Sequence, residues 1–189
     1  MENVMAVPTA ALAPYLRHRG LIRGLDASFL ALIREAHVFL PRSVAEADPA
    51  HKQIIPYVTL TRGDEVYLLR RLKKGGETRL RGLLSLGAGG HIDDTDGGRD
   101  PLQSGLAREL SEELFLTEPG TPQLLGIIND DTTEVGRVHL GLFFTLEVSD
   151  ASVRETEKLS GEWRRRRDLP PLVPEMETWS QIALEALLD

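Results

Sequence analysis

Residues 83–116 constrain the fold of this chain more than any other stretch. They read as a strand, a glycine-rich turn, an acidic loop and a helix that carries the run RELSEE at 108–113. Glu109, Glu112 and Glu113 are spaced i, i+3 and i+4, so they share one side of that helix. Like charges at this spacing repel, and the cluster is therefore unfavourable for folding on its own.

A divalent cation would turn this repulsion into attraction. Mg²⁺ prefers oxygen ligands in a tight octahedral shell that water and substrate phosphates usually complete. The glycine pair Gly89 and Gly90, just upstream, would let the backbone come close to a metal or a phosphate. The stretch therefore predicts a metal-carboxylate site for phosphate chemistry.

Length and composition exclude several classes of protein. With 189 residues, the chain is long enough for one well-buried domain and too short for two comfortable ones. It has no cysteine, which excludes disulfides, thiolate zinc sites and cysteine nucleophiles. A net charge of −7 argues against binding to a nucleic acid polymer, because phosphate-backbone affinity needs a basic surface.

The N-terminal segment does not have the pattern of a signal peptide. It contains Glu2, Pro8 and Pro14 and has no long apolar run. No stretch approaches the roughly 18 apolar residues that a membrane span needs. We therefore expect a cytoplasmic protein with no membrane partner.

Hydrophobic patterning predicts a mixture of strands and helices. Predicted strands lie at 4–7, 54–61, 66–72, 83–86, 124–128 and 138–148, and predicted helices follow Asp26 and cover 175–188. Residues 42–53 are polar and are predicted to be a loop, and residues 149–160 are polar as well. Because the elements do not follow a regular βαβ rhythm, an α+β or α/β sandwich is favoured over a doubly wound sheet.

The central stretch resembles the Nudix box, the signature of the MutT-like Nudix hydrolase superfamily. The matching residues are Gly90, Asp100, Arg108, Glu109, Leu110, Glu112, Glu113 and Leu116. The run GGHID at 89–93 is similar to a branch of Nudix-type phosphoesterases. This resemblance implies an α/β/α sandwich with a mixed sheet and one domain over 1–189. In that domain, 1–50 form an N-terminal extension, 83–116 the box and 175–189 a C-terminal helix.

Three features depart from the box. Asp100 stands where the box has glutamate, and nine residues, not five, separate it from Gly90. Phe115 stands where the box has glycine, which removes the usual helix stop. We therefore expect the helix to continue toward Pro119, and we expect loop 91–99 to be where this chain differs from its relatives.

The resemblance and the chemistry together assign roles within the box. Glu109, Glu112 and Glu113 are predicted metal ligands, and the Gly90 carbonyl is a candidate fourth ligand. The predicted catalytic residues are Glu109 and Glu112, with Glu109 favoured as the acceptor of a proton from water. Arg108, also assigned to the catalytic set, is expected to lie along the helix toward the carboxylates, including Glu112. Asp100 is a candidate helix cap.

Other polar residues are candidates for substrate binding, each with an ordinary structural alternative. They are Arg70, Arg71, Arg81, His91, Glu134 and His139. The arginines could hold a phosphate or simply keep a hairpin soluble. The two histidines and Glu134 are equally consistent with surface or loop positions. The acidic loop 93–98 fails the EF-hand pattern and is predicted to be a solvated turn, while Trp163 and Trp179 are predicted to be core residues.

The resulting hypothesis is an enzyme, a Nudix hydrolase that uses Mg²⁺ or Mn²⁺. Its expected reaction is attack by water on a phosphoanhydride bond in a nucleoside diphosphate linked to another group. The resemblance also implies a homodimer. The alternative is a Nudix-like module that binds a nucleotide derivative without turning it over. The intact glutamate cluster argues against this alternative, since a pure binder does not need it.

Overall fold

The computed structural model describes residues 2–72 and 82–188. The strands are β1 (Asn3–Pro8), β2 (Gly20–Ile22), β3 (Val38–Pro41), β4 (His51–Arg62), β5 (Glu65–Arg71), β6 (Leu84–Ser85), β7 (Leu114–Thr117), β8 (Gln123–Asn129), β9 (His139–Glu147), β10 (Asp150–Val153) and β11 (Leu159–Arg165). The helices are α1 (Thr9–Leu12), α2 (Ala27–Ala36), α3 (Arg42–Ala45), α4 (Pro101–Glu113), α5 (Glu134–Arg137) and α6 (Thr178–Leu188), with 3₁₀ turns at Asp94–Asp96, Arg166–Asp168 and Pro170–Glu175.

The backbone contacts divide the chain into two compact units. The first comprises Met1–Pro56, Gly89–Glu109 and Leu125–Phe143, and the second comprises Tyr57–Ala88, Leu110–Leu124 and Phe144–Asp189. The mixture of helices and strands, with a mixed sheet, confirms the predicted fold class. The prediction of a single domain is not tested by this division.

In the first unit, β1 lies between two antiparallel neighbours. Ala6 is opposite Val38 of β3 and also opposite Gln53 of β4. Helix α2 begins as predicted after Asp26, whose carboxylate accepts a hydrogen bond from the Ser28 amide at 2.9 Å. Phe29 is one of the residues through which this helix enters the core.

In the second unit, β5 pairs with β4, β6 and β11. It pairs antiparallel with β11 over seven residues, from Glu65 to Arg71. It also pairs with β4 through a tight turn at Gly63 and with β6. The Trp163 ring lies 5.0 Å from the Tyr67 ring, and the Arg62 guanidinium covers it. Trp163 is therefore half-buried, as Trp179 is, and neither is the full core residue that the sequence predicted.

The predicted extension of the box helix is wrong. Helix α4 ends at Glu113, and the next residues form β7, where Leu114 pairs with Val153 of β10. Leu114 is buried, whereas Phe115 points outward and packs its ring against the Arg154 guanidinium at 3.8 Å. The helix ends here without a glycine because the backbone groups after Glu113 are hydrogen-bonded in the pairing of β7 with β10.

The predicted loop at 42–53 is partly regular structure, because it contains α3 and the start of β4. The polar stretch 149–160 likewise contains β10 and the start of β11. Both cases have the same cause. Pairing with a distant strand stabilises short polar strands that lack a strong hydrophobic alternation. Among the described residues, no helix is long and apolar enough to cross a membrane.

The acidic loop that precedes helix α4 packs against the helix at Gly105. A Cβ atom added there would lie 2.8 Å from Asp96 Oδ2 and 2.9 Å from Ile92 Cγ2. Contacts this short would force either the loop or the helix to move. Glycine at this position therefore lets the loop pack directly on the helix.

Gly105→Ala should lower the free energy of unfolding by about 1–3 kcal/mol, because the added methyl group overpacks the contact with Asp96 and Ile92. In an open helix the same change would stabilise by about 1 kcal/mol. Chemical denaturation measures the sign directly. Increased stability would show that the loop does not pack against the helix here.

Leu110→Ala should cost about 2–5 kcal/mol of unfolding free energy, because Leu110 is a buried core residue of α4. Gln103→Ala, on the exposed side of the same helix, is the control and should change stability by no more than about 0.5 kcal/mol. Equal effects of the two substitutions would place Leu110 in solvent.

Candidate functional site

The turn at Gly90 lies directly against the carboxylate of Glu109. A Cβ atom built on Gly90 would be 2.5 Å from Glu109 Oε2 and 2.7 Å from Oε1. No side chain fits in that space, so glycine is required if the carboxylate is to stay where it is. The structure thus brings together two of the predicted metal ligands.

Arg108 fixes the position of that carboxylate. Its Nη1 donates to Glu109 Oε1 at 2.9 Å, its Nη2 to the His91 carbonyl at 2.8 Å, and its Nε to Asp96 Oδ1 at 2.5 Å. We call Arg108, Asp96, Glu109 and the His91 carbonyl the Arg108 cluster. It ties the glycine turn, the acidic loop and the helix together and bonds Arg108 to Glu109, while the predicted contact of Arg108 with Glu112 stays a prediction.

Asp96 is a site residue that the sequence reasoning missed. Its side chain is 2% exposed, so at this position the prediction of a solvated turn is wrong. Burial alone would raise the pKa of the Asp96 carboxyl, but hydrogen bonds from Arg108 and the Asp93 amide outweigh it and lower the pKa. The sequence held the signal, because five residues separate Gly90 from Asp96, the spacing that the box requires.

Asp100 has a different role from the acid of the box. Its carboxylate pairs with Arg34 at 2.7 Å and accepts a 3.4 Å hydrogen bond from the Gln103 amide. The second contact agrees with the predicted helix cap. The extra residues of this chain therefore lie between Asp96 and Arg108, and Asp96, not Asp100, is bonded to the arginine.

Glu112 and Glu113 follow one turn later on the same helix. Glu112 is exposed and Glu113 is half-buried. Their charge reaches neighbouring cations of the second unit: the pKa of Lys158 is raised first by Glu155 and then by Glu113 and Glu112. Among the described residues, no three histidine or acidic side chains converge on one point. Like charges at this spacing repel, and the assignment of these carboxylates as metal ligands stays a prediction.

His91 and His139 lie side by side. Their Nε2 atoms are 3.4 Å apart, and His139 Nδ1 is 2.7 Å from the Val135 carbonyl, to which it donates. Burial, with the nearby charges of Arg42 and His139, lowers the pKa of His91 to about 4. His91 is therefore neutral near pH 7. Two of the predicted substrate-binding residues thus share one location, although their binding role is untested.

The loop that carries Glu134 is held by a buried lysine that the sequence did not reveal as important. Lys52 donates from Nζ to Asp131 at 2.6 Å and to the Gly136 carbonyl at 3.0 Å. Glu134 itself is exposed at the start of α5. Lys52 lies in the polar segment that was predicted to be a loop, so the sequence carried no signal that this charge is buried with specific partners.

The predicted strand arginines have different surroundings. Arg70 donates to the Gly82 carbonyl and to Glu175, both at the surface. Arg71 donates from Nε to the buried Glu177 at 3.3 Å. Arg81 lies outside the described residues. Glu177 was not among the predicted site residues.

Comparison with known proteins identifies related chains. Protein YmaB of Bacillus subtilis (strain 168) is 39% identical over 171 residues, which cover 85% of this chain and 83% of YmaB. The crystal structure of Tm1382, described as a candidate Nudix hydrolase, has a TM-score of 0.87 and 34% identity and covers 98% of both chains. MutT Nudix hydrolase from Burkholderia pseudomallei matches with a TM-score of 0.48 and 19% identity, over 70% of this chain and 95% of its own. No family model matches the sequence.

The likeness to Tm1382 extends over nearly the whole chain and so includes the glycine turn, the acidic loop and the box helix. It confirms the resemblance that the residues from Gly90 to Leu116 indicated, together with the fold class and the prediction of an enzyme. The chain belongs to the Nudix hydrolase superfamily.

Proposed function

We propose that this Nudix hydrolase cleaves a phosphoanhydride bond in a nucleoside diphosphate linked to another group, and that it does so with Mg²⁺ or Mn²⁺. Pyrophosphate bonds are the general substrate of the superfamily. The metal and the nucleotide are our extension. The observation that carries the proposal is the contact between Gly90 and Glu109, held by Arg108.

The residues present fit a divalent cation. The donors are the carboxylates of Glu109, Glu112 and Glu113 and the carbonyl of Gly90, all of them the hard oxygen ligands that Mg²⁺ selects. The space beside Gly90 would not exist with any larger residue. When bound, the cation supplies charge neutralisation at the phosphates and acidifies a water molecule.

The chain's own groups do the rest of the chemistry. Glu109 is the proposed proton acceptor: water attacks phosphorus, its proton goes to the Glu109 carboxylate, and the bridging oxygen leaves with the bond electrons. Arg108 keeps that carboxylate in one orientation through the 2.9 Å hydrogen bond. A fixed base loses less entropy when the reaction begins.

Substrate contacts are proposed at the edges of this arrangement. Arg71 is the proposed phosphate ligand, and His91, His139 and the exposed Glu134 are proposed contacts of the remaining group. Arg70 stays a weaker candidate because both of its terminal nitrogens already have partners. From the resemblance we also propose one domain, a homodimer and a cytoplasmic location.

The substrate class can be found by a Mg²⁺-dependent phosphate-release screen. The panel is nucleoside triphosphates, sugar nucleotides, dinucleoside polyphosphates, NADH and ADP-ribose. Turnover of at least one of them is expected. Binding of a divalent metal and a nucleotide without turnover of any of them would support the alternative, a nucleotide-sensing module.

Glu109→Gln and Glu113→Gln should each abolish Mg²⁺-dependent activity, because each substitution removes a charged ligand. Glu109→Gln also removes the proposed base. The folded state should persist. The metal-free unfolding free energy should stay about the same. Each change relieves like-charge repulsion worth about 0.2–0.5 kcal/mol per pair, but it also removes attraction to a cation, which is Arg108 for Glu109 and Arg71 for Glu113. Activity that survives both changes would exclude the site, and a large loss of stability would make these residues structural.

Gly90→Ala should weaken the response to Mg²⁺, because the methyl group would displace the Glu109 carboxylate. The Mg²⁺ concentration for half-maximal activity should rise at least about tenfold, the scale seen when a group supporting a metal ligand is lost. Gly63→Ala is a control, as nothing lies near its added Cβ, although its positive φ of 56° will cost some stability. An unchanged Mg²⁺ response in Gly90→Ala would contradict the proposed ligand geometry.

A further inference from the structure

A buried polar cluster in the second unit surrounds Glu177. This carboxylate is 6% exposed. Its Oε1 accepts hydrogen bonds from Ser85 Oγ at 2.6 Å and from Tyr57 OH at 3.1 Å, with Ser180 Oγ at 3.4 Å. Its Oε2 accepts from Arg71 Nε at 3.3 Å. Four side chains, from β4, β5, β6 and α6, therefore converge on one carboxylate.

The position of Glu177 is fixed by the backbone as well. Its amide donates to the Leu84 carbonyl at 3.0 Å, which joins the segment before α6 to β6. A buried charge is a weak source of stability, since apolar replacements of such pairs are often neutral or stabilising. Burial of a charged pair at this cost suggests that the arrangement serves another purpose.

Arg71 faces two acidic groups at once. Burial alone would lower its pKa, but the charge of Glu177 and then that of Glu113 raise it above the ordinary value. Glu113 is one of the proposed metal ligands. The guanidinium therefore interacts electrostatically with a residue of the box helix, and its Nε is bonded to Glu177.

The donors of Arg71 are only partly used. Nε is bonded to Glu177, whereas the two terminal nitrogens make no hydrogen bond to any residue in 2–72 or 82–188. A guanidinium presents its donors as a planar fork that matches a phosphate in two-point contact. Because Glu177 holds the guanidinium through Nε, the two terminal nitrogens can bind a phosphate without reorientation of the side chain.

We propose that Glu177 is a positioning residue that holds Arg71 ready to bind a phosphate of the diphosphate substrate. This inference rests on the proposed function and deepens it, because it assigns the phosphate contact to one arginine and its orientation to the segment before α6. Glu177 does not touch the substrate. It acts through the guanidinium, and Tyr57, Ser85 and Ser180 keep its carboxylate in place.

The test is the affinity of the full chain for ADP and for inorganic pyrophosphate, with Mg²⁺, measured by isothermal titration calorimetry. Arg71→Lys keeps the charge but lacks the fork, and it should weaken binding roughly tenfold, the value of one hydrogen bond to a charged group. Glu177→Gln should weaken binding by a similar factor. The double variant should be no weaker than Arg71→Lys alone, because both changes remove one interaction.

Glu175→Gln is the matched control. Glu175 lies two residues away and pairs with the neighbouring Arg70, but the pair is exposed and its loss should change affinity by less than about twofold. Should Glu177→Gln fail to fold, Glu177→Asp keeps the charge while moving it away from Arg71, and it should weaken binding in the same direction.

Several results would overturn the proposal. They are unchanged affinity in folded Arg71→Lys and in folded Glu177→Gln or Glu177→Asp, additive losses in the double variant, or no binding of either probe by the native chain. The phosphate-release screen distinguishes this failure from failure of the proposed function. Native turnover with unaffected variants removes the roles of Arg71 and Glu177 but leaves the hydrolysis, whereas weakened binding without any native turnover removes only the hydrolysis.

Discussion

The hydrogen bonds of Arg108 are the interaction on which the candidate site depends. One guanidinium connects the buried Asp96, the His91 carbonyl and Glu109, which belong to the acidic loop, the glycine turn and the helix. The Glu109 carboxylate then fills the space that Gly90 leaves open. Without the arginine, the carboxylate of Asp96 would be buried without a compensating charge. The packing of the acidic loop against Gly105 would then be unfavourable.

Buried charges recur beside the predicted site residues. Lys52 lies beneath the loop of Glu134 and His139, Asp96 binds Arg108, and Glu177 binds Arg71. Each buried group is paired, as the cost of desolvation demands. Such pairs contribute little to stability compared with apolar packing. Their common effect is to fix a polar segment where a flexible loop would otherwise be expected.

The sequence predicted the parts of this structure that depend on local spacing. The placement of the RELSEE run on helix α4, the N-cap at Asp26 and the alternation along β9 all follow from patterns within a few residues. The proximity of Gly90 and Glu109 was also expected, because the resemblance to the Nudix box assigned both residues to one metal site.

What the sequence did not reveal depends on partners far along the chain. The role of Glu177 requires Tyr57 and Ser85, which are 120 and 92 residues away. The end of α4 at Glu113 depends on pairing between β7 and β10. Asp96 is the exception. Its spacing from Gly90 was available, but Asp100 had the right spacing to Arg108, and only the structure shows that the added residues lie after Asp96.

The most direct test of this account is a Mn²⁺ titration followed by electron paramagnetic resonance, on the native chain and on Asp96→Asn. Asp96 is not a proposed ligand, so a change in affinity would report its support of Arg108 and, through it, of Glu109. The account predicts that the native chain binds Mn²⁺ and that Asp96→Asn binds it about 10–100-fold more weakly. Equal Mn²⁺ affinity in the two folded proteins would contradict it.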